Sequence, residues 1–163
     1  MDAKKKILVV DDEKDLCTLM KGILENSGQY EVFVTYDGLE AKKLCQKEKP
    51  DLIFLDFIMP KIRGDDVIKL LKKNPETKDI PIIIISGFGE LTCLREEEQW
   101  RAFVNMDSVR QEGKVPGKLK LPKLVPSFLR ELGAESFLPK PFSKEKLLDT
   151  AKSVLKKTSQ TKG

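Results

Sequence analysis

Acidic residues end two apolar segments of this sequence, and they are the residues best suited to chemistry. Asp11 and Asp12 follow a short β-branched run, and Asp56 follows a second apolar run. Carboxylates gathered in one place raise each other's pKa values unless a cation lies among them. A hard divalent ion such as Mg²⁺ meets this need, because it favours one or two carboxylates with water and phosphate oxygens. These aspartates therefore indicate a site for Mg²⁺ and a phosphoryl group.

A hydroxyl group and an ammonium group follow two further apolar runs. Ser86 follows the strongest β-forming stretch of the chain, at 81–85, and Lys140 follows a short strand over 136–139. The Ser86 hydroxyl can donate a hydrogen bond to a phosphoryl oxygen, and Lys140 supplies a fixed positive charge. Together with the carboxylates, these groups are suited to make and hold an aspartyl phosphate.

Each of these residues has a structural alternative when it is taken singly. An aspartate or serine after a strand often caps the next helix, which applies to Asp11, Asp12 and Ser86. Asp56 can instead belong to a turn, and Lys140 to the solvated surface. Their shared position, at the ends of successive apolar runs, favours one common site over five separate structural roles.

The elements that position these residues are strands that alternate with amphipathic helices. Parallel strands need helical crossovers and are buried on both faces, so their sequences are continuously apolar. In such sheets, ligands bind outside the carboxyl ends of the strands. We therefore predict an α/β fold with a doubly wound, five-stranded parallel sheet and helices on both faces. The predicted strands are 6–10, 30–35, 52–55, 81–85 and 136–139.

One connection is longer than this fold requires. Between Ser86 and Lys140, roughly 30 residues exceed one helix and two short loops. We predict an inserted helix and loop near 90–122, acting as a tolerated surface insertion or as a partner-binding element. A helical stripe follows at Leu124, Val125, Phe128, Leu129 and Leu132.

Composition excludes several classes of function. Histidine is absent, which rules out Ser-His-Asp and Cys-His pairs and HExxH zinc helices. The three cysteines lack CxxC spacing and predict neither a disulfide framework nor a zinc cluster. Cys17 and Cys45 are expected to be buried helix residues. The available chemistry therefore uses carboxylates, lysine, hydroxyls or a bound metal.

Length and charge predict one soluble domain over 1–163 with a polar, disordered tail at 158–163. The net charge is +4, which is low for a nucleic-acid binder, and no recognition motif accompanies it. No apolar run approaches the ~20 residues of a membrane span. The charged N-terminus leads into an apolar run too short for a signal peptide. We expect a cytoplasmic protein that contacts neither membrane nor nucleic acid directly.

At these same residues the sequence resembles the receiver domain of two-component response regulators, particularly the single-domain, chemotaxis type. The resemblance covers about 4–90 and 123–157. It implies a flavodoxin-like sheet with strand order 2-1-3-4-5. The motifs are, in chain order, Val9-Val10-Asp11-Asp12-Glu13, Asp56-Phe57-Ile58-Met59-Pro60 with Gly64, Ile85-Ser86-Gly87 and Lys140-Pro141-Phe142.

The resemblance implies a role for each acidic residue. Asp56 would be the phosphoacceptor. Its side chain and that of Asp12 would hold Mg²⁺ together with the backbone carbonyl of Ile58, and Asp11 would assist through water.

The resemblance also implies which residues respond when Asp56 is phosphorylated. Ser86 would bind the phosphoryl group and shift toward it, Lys140 would pair with it, and Phe137 would occupy the aromatic switch position. The Lys140-Pro141 peptide bond is expected to be cis. Two positions that influence hydrolysis in this family hold Ile58 and Phe88, neither of which can orient water. We therefore expect a long-lived phosphoryl state.

The implied function is that of a phosphoacceptor which catalyses its own modification and is not a turnover enzyme. Since the chain has no histidine, the donor would be a phosphohistidine on a sensor histidine kinase or histidine phosphotransfer protein, or a small phosphodonor. Output would be binding to a downstream protein, onward phosphotransfer, or formation of a homodimer.

Two other functions stay open. One is a phosphorylation-independent adaptor that acts through its insertion. The other is an Mg²⁺-dependent phosphohydrolase of the haloacid dehalogenase type. Such enzymes place a second aspartate two residues after the nucleophile, where this chain has Ile58.

Overall fold

The computed structural model describes residues 3–87 and 131–161. Five parallel strands form one sheet in the order β2-β1-β3-β4-β5, which confirms the predicted fold and strand order. The first strand lies between the second and the third, and helical crossovers carry the chain outward from it in both directions. The strands are β1 (Lys5–Val10), β2 (Tyr30–Thr35), β3 (Leu52–Asp56), β4 (Ile82–Gly87) and β5 (Ser136–Lys140).

Four helices in the described residues cover the two faces of the sheet. Buried side chains of α2 and α3 pack on one face, and those of α1 and α4 pack on the other. No described helix combines the length and apolar character that crossing a bilayer demands. The helices are α1 (Lys14–Asn26), α2 (Gly38–Glu48), α3 (Gly64–Lys72) and α4 (Lys144–Thr161).

Strand β1 illustrates why an interior parallel strand has a continuous apolar run, here from Ile7 to Val10. Successive side chains of a strand point to opposite faces. Ile7 and Val9 pack in the layer beneath α1 and α4, whereas Leu8 and Val10 pack beneath α2 and α3. All four are buried, and each contributes about 1.5–3 kcal/mol relative to exposure. Polar residues are therefore confined to the strand ends.

The register of the sheet brings the polar residues at the carboxyl ends of the strands side by side. Val10 pairs with Leu55, so that Asp11 and Asp56 both lie one residue beyond this pair. Asp56 in turn pairs with Ile85, which precedes Ser86. On the other side of β4, Gly87 pairs with Lys140. The carboxyl ends of β1, β3, β4 and β5 thus present the predicted site residues side by side.

Some local predictions need correction. The sequence spacing assigns Leu19 to one apolar helix face with Met20 and Leu24, and assigns Leu39 and Leu70 to two further amphipathic helices. Leu19, Leu39 and Leu70 are nevertheless 56%, 52% and 39% exposed. In α1, the buried face is set by Cys17 and Met20 together with Leu24, and Leu19 is rotated by about 100° from Met20 along the helix. An apolar residue beside a helical stripe is therefore not always part of it.

The predicted disorder of the tail at 158–163 is wrong for 158–161, because α4 continues to Thr161, and 162–163 lie outside the described residues. The hydroxyl of Thr158 donates to the carbonyl oxygen of Val154, so this polar side chain bonds within its own helix. Cys17 and Cys45 are buried helix residues, as predicted. The insertion at 90–122 and the stripe at 124–132, apart from its last residue, lie outside the described residues.

Candidate functional site

Three carboxylates converge at the carboxyl edge of the sheet. Asp11, Asp12 and Asp56 each offer a carboxylate oxygen, and these oxygens lie within 4.8 Å of one another. Asp11 and Asp56 are buried, whereas Asp12 is exposed to solvent. The site is therefore open on one side and closed by the sheet on the other.

Lys140 is the cation that the structure places among these acids. Its Nζ lies 3.0 Å from Oδ2 of Asp11, to which it donates a hydrogen bond, and 3.5 Å from Oδ1 of Asp56. Burial alone lowers the pKa of Lys140, but the charges of Asp56 and Asp11 outweigh burial and leave that pKa raised. Lys140 is therefore held in its charged form beside two buried carboxylates.

Asp11 is held by each of its polar groups. Its N–H donates to the carbonyl oxygen of Thr35, and its own carbonyl oxygen accepts a bond from the Cys17 thiol at 3.2 Å. Its Oδ1 accepts the N–H of Glu13 at 2.9 Å. With the bond from Lys140, these contacts fix both the backbone and the carboxylate of Asp11.

The Cys17 thiol is a structural donor at this site. Burial, followed by the charge of Asp11, raises its pKa to about 12. Because the thiolate is the reactive form of cysteine, a thiol with this pKa is inert. The sequence predicted that Cys17 is buried, but it carried no signal for the bond to Asp11.

Ser86 and Ile58 lie at the positions expected from the sequence. Ser86 is buried at the end of β4 and pairs with Pro139, one residue before Lys140. Ile58 follows Asp56 by two residues in the loop before α3, and its side chain is exposed. The roles predicted for the Ser86 hydroxyl and the Ile58 carbonyl stay predictions.

Phe137 lies in β5 and is partly buried against the apolar layer beneath α2 and α3. The strand residue that follows it, Leu138, is buried in the opposite layer. The Lys140-Pro141 peptide bond is cis, as predicted. Phe137 is thus placed three residues from Lys140, and its switching role stays a prediction.

Gly64 closes the loop that follows Asp56. Its N–H donates to the carbonyl oxygen of Phe57 at 2.8 Å. A Cβ atom at this position would lie 2.8 Å from the Cα of Phe57 and 3.0 Å from the carbonyl oxygen of Asp56. Because those contacts are with backbone, only glycine allows α3 to begin this close to the site.

The sequence reasoning missed Glu13 as a member of the charged cluster. Its Oε2 lies 3.9 Å from Nζ of Lys140, although the Glu13 side chain is largely exposed. An acidic residue directly after Asp11-Asp12 was the available signal. Glu13 adds negative charge at the open side of the site.

The donor set fits a hard divalent cation. Mg²⁺ takes oxygen ligands and usually keeps several waters, which suits carboxylates that are partly open to solvent. Asp12 and Asp56 offer such oxygens, and Lys140 neutralises only part of the negative charge. The arrangement can therefore hold a cation next to Asp56, where an incoming phosphoryl group would meet positive charge.

Comparison with known proteins agrees with this geometry. The sequence model of the response regulator receiver domain matches residues 7–103. This match ends before Lys140, so the membership of Lys140 in the site rests on the structure. It also extends into the 90–122 segment.

Individual relatives match over most of the chain. The alkaline phosphatase synthesis transcriptional regulatory protein PhoP of Bacillus subtilis is 32% identical over 154 residues, covering 94% of this chain and 50% of that protein. The polar-differentiation response regulator DivK of Brucella anthropi is 28% identical over 151 residues, covering 93% and 96%. The chain therefore spans half of the first relative and nearly all of the second.

A solved structure is also similar to this chain over most of its length. The chemotaxis protein CheY4 of Vibrio cholerae is 28% identical to this chain and superposes with a TM-score of 0.64. The match covers 93% of this chain and 99% of that protein. The similarity thus extends across the whole sheet and its helices.

Proposed function

This chain belongs to the response regulator receiver domain family, and we propose that it accepts a phosphoryl group on Asp56 in a two-component phosphorelay. The observation that carries this proposal is the convergence of three carboxylates, of which buried Asp11 and Asp56 both contact Lys140. Titratable groups forced together in this way are typical of functional sites.

The proposed reaction is an in-line transfer. A carboxylate oxygen of Asp56 forms a bond to phosphorus while the P–N bond of a donor phosphohistidine breaks, and the leaving imidazole takes up a proton from water. Lys140 stabilises the negative charge on the transferring oxygens, since its ammonium group already lies 3.5 Å from Asp56. A bound Mg²⁺, held by Asp12, Asp56 and the Ile58 carbonyl, would neutralise further charge there.

The phosphorylated site would act as a switch. An aspartyl phosphate needs hydrogen-bond donors, and the Ser86 hydroxyl and Lys140 Nζ are the groups we assign to it. Movement of Ser86 toward the phosphoryl group would leave room for Phe137 to turn inward, because both lie on neighbouring strands. The resulting surface would bind a downstream protein or a second copy of the chain.

The donor and the cellular setting follow from the same proposal. Because the chain has no histidine, the phosphohistidine belongs to a sensor histidine kinase or a histidine phosphotransfer protein. The chain itself is a self-catalysed phosphoacceptor and not a turnover enzyme. We place this exchange in the cytoplasm, without direct contact with nucleic acid.

The experiment that tests this function is a time course with acetyl phosphate. Here the P–O bond of the donor breaks and acetate leaves. We expect intact-mass spectrometry to record the addition of one phosphoryl group in the presence of Mg²⁺ and no addition in the presence of a chelator. A chain that stays unmodified under both conditions would contradict the proposal and favour the phosphorylation-independent adaptor.

The lifetime of the modified state provides a further prediction. The Ile58 side chain is exposed beside Asp56 and has no polar atom to orient an attacking water. We expect the variant Ile58→Asn to lose its phosphoryl group about ten-fold faster than the wild type after the donor is removed, as one added hydrogen bond permits. The decay is measured by intact mass, with Leu70→Asn as an exposed control on α3. Equal decay rates for Ile58→Asn and the wild type would contradict this explanation.

A further inference from the structure

Strand β2 forms one edge of the sheet, and two hydrogen bonds show which of its backbone groups face outward. The N–H of Lys5 donates to the carbonyl oxygen of Gln29, and the N–H of Asp11 donates to that of Thr35. Odd-numbered residues of β2 therefore face β1. The even-numbered residues Tyr30, Val32 and Val34 direct their N–H and C=O groups away from the sheet. Such a row is a template for pairing with another strand.

Two side chains of α1 occupy the middle of this edge. Nζ of Lys21 donates to the carbonyl oxygen of Val32 at 2.9 Å, and the N–H of Val32 donates to Oε1 of Glu25 at 3.2 Å. Lys21 and Glu25 are also paired with each other, at 3.7 Å. Both backbone groups of Val32 are thereby satisfied, as they would be by a neighbouring strand.

The edge on either side of this contact has room for a second chain. A groove of about 450 Å³ runs along it, lined by residues 31–34 of the strand and by α1 side chains that include Lys21 and Glu25. A second copy of this protein would present the same edge, and two such edges can pair about a two-fold axis. Self-pairing through β2 is thus the association that this edge permits.

We propose that Lys21 and Glu25 close the β2 edge against strand pairing with a second copy of the chain. Each side chain uses a backbone group that strand addition would need. An incoming strand has to displace two charge-assisted hydrogen bonds before it gains its own. The pair therefore keeps two copies of the chain from associating through β2, while the site at the carboxyl ends of the strands stays accessible.

The test is a charge-neutral double variant, Lys21→Ala with Glu25→Ala. We expect sedimentation velocity to show self-association that grows with concentration. The exposed pair Lys69 and Asp66 on α3, also in contact at 3.4 Å, provides the matched control. The corresponding alanine double variant of that pair is expected to remain monomeric. Equal behaviour of the two double variants would overturn the proposal.

Two further variants examine the mechanism. Lys21→Arg with Glu25→Gln keeps one donor and one acceptor and is expected to remain monomeric, so its self-association would overturn the hydrogen-bonding argument. Val34→Pro, added to the Lys21→Ala, Glu25→Ala variant, removes an outward N–H and is expected to restore the monomer. Association that survives this change would place the contact elsewhere and overturn the proposal.

Amide hydrogen exchange gives a readout that does not depend on Val34→Pro folding. We expect the Val32 amide to exchange about ten-fold faster in dilute Lys21→Ala, Glu25→Ala protein than in the wild type, as the loss of one charge-assisted bond predicts. The Val34 amide should become protected as the concentration rises. Unchanged exchange at both amides would contradict the proposal.

Discussion

Acidic side chains are paired with lysines differently at the two ends of the sheet. At the amino end, two acidic residues form separate ion pairs: Lys5 contacts Asp51 at 3.1 Å, and Lys6 contacts Glu48 at 3.9 Å. At the carboxyl end, three aspartates lie together, and the two buried ones, Asp11 and Asp56, contact the same lysine. Charge is therefore balanced and solvated at the amino end, and unbalanced and partly buried at the carboxyl end.

This difference separates surface charge from functional charge. Exposed ion pairs contribute about 0–1 kcal/mol, because water screens them and their side chains lose freedom. Buried like charges cost stability, and a protein keeps them where they act on a ligand. The excess negative charge at the carboxyl end is what a cation and a phosphoryl group would use.

The largest contrast is expected for the phosphoacceptor. Asp56→Asn should abolish phosphorylation by acetyl phosphate, because an amide oxygen does not attack phosphorus. Asp51→Asn, at the amino end, should be phosphorylated as fast as the wild type. Intact-mass spectrometry of both variants in the presence of Mg²⁺ measures the difference. Equal labelling of the two variants would remove the distinction between the two ends.

The next contrast concerns close packing at the carboxyl end. Gly64→Ala should lower the free energy of unfolding by about 1–3 kcal/mol, since its Cβ would meet the backbone of Phe57. Gly22→Ala in α1 meets nothing within 4 Å and should raise it by about 0.5–1 kcal/mol. Urea titrations give both values. A Gly64→Ala variant as stable as the wild type would show that the loop can give way.

Replacing a lysine should lower the free energy of unfolding more at the carboxyl end of the sheet than at the amino end. Lys140→Met leaves Asp11 and Asp56 without their cation and should cost about 2 kcal/mol of unfolding free energy. Lys5→Met breaks an exposed pair and should cost at most about 0.5 kcal/mol. Chemical denaturation of the two variants measures this difference, and similar losses would indicate that burial does not set the cost.

The smallest expected effect is a pH dependence of the stability that Lys140 contributes. Asp56 and Asp11 raise the pKa of Lys140 despite its burial, so its stabilising contribution is complete below the ordinary value of 10.5 and is lost as pH rises above it. The stability difference between wild type and Lys140→Met should narrow over that range, by up to about 1 kcal/mol per pH unit. Urea titrations at several alkaline pH values measure it. A difference that stays constant would contradict the proposed coupling.

Much of this organisation could be predicted from the sequence. Continuous apolar runs predicted each strand, and the polar residue after each run predicted the shared edge that holds Asp11, Asp56 and Lys140. Their convergence follows from parallel topology alone, because all strands end at the same edge.

Other features depend on contacts that no local pattern encodes. The bond between Lys21 and Val32 requires the distance between α1 and β2, and the thiol bond of Cys17 requires the path of the backbone at Asp11. The exposure of Leu19 depends on which neighbouring element covers each side of a helix. Such details are set by tertiary packing, which a single sequence does not reveal.

We propose that the partly buried, unbalanced charge at the carboxyl end of the sheet directs phosphoryl transfer to one carboxylate. The most direct measurement treats the labelled chain with borohydride, which reduces an aspartyl phosphate to homoserine, and locates the reduced residue by fragment mass spectrometry. We expect reduction at Asp56, dependent on Mg²⁺ during labelling. Reduction at Asp12 or at Asp51 instead, or labelling that is independent of Mg²⁺, would contradict it.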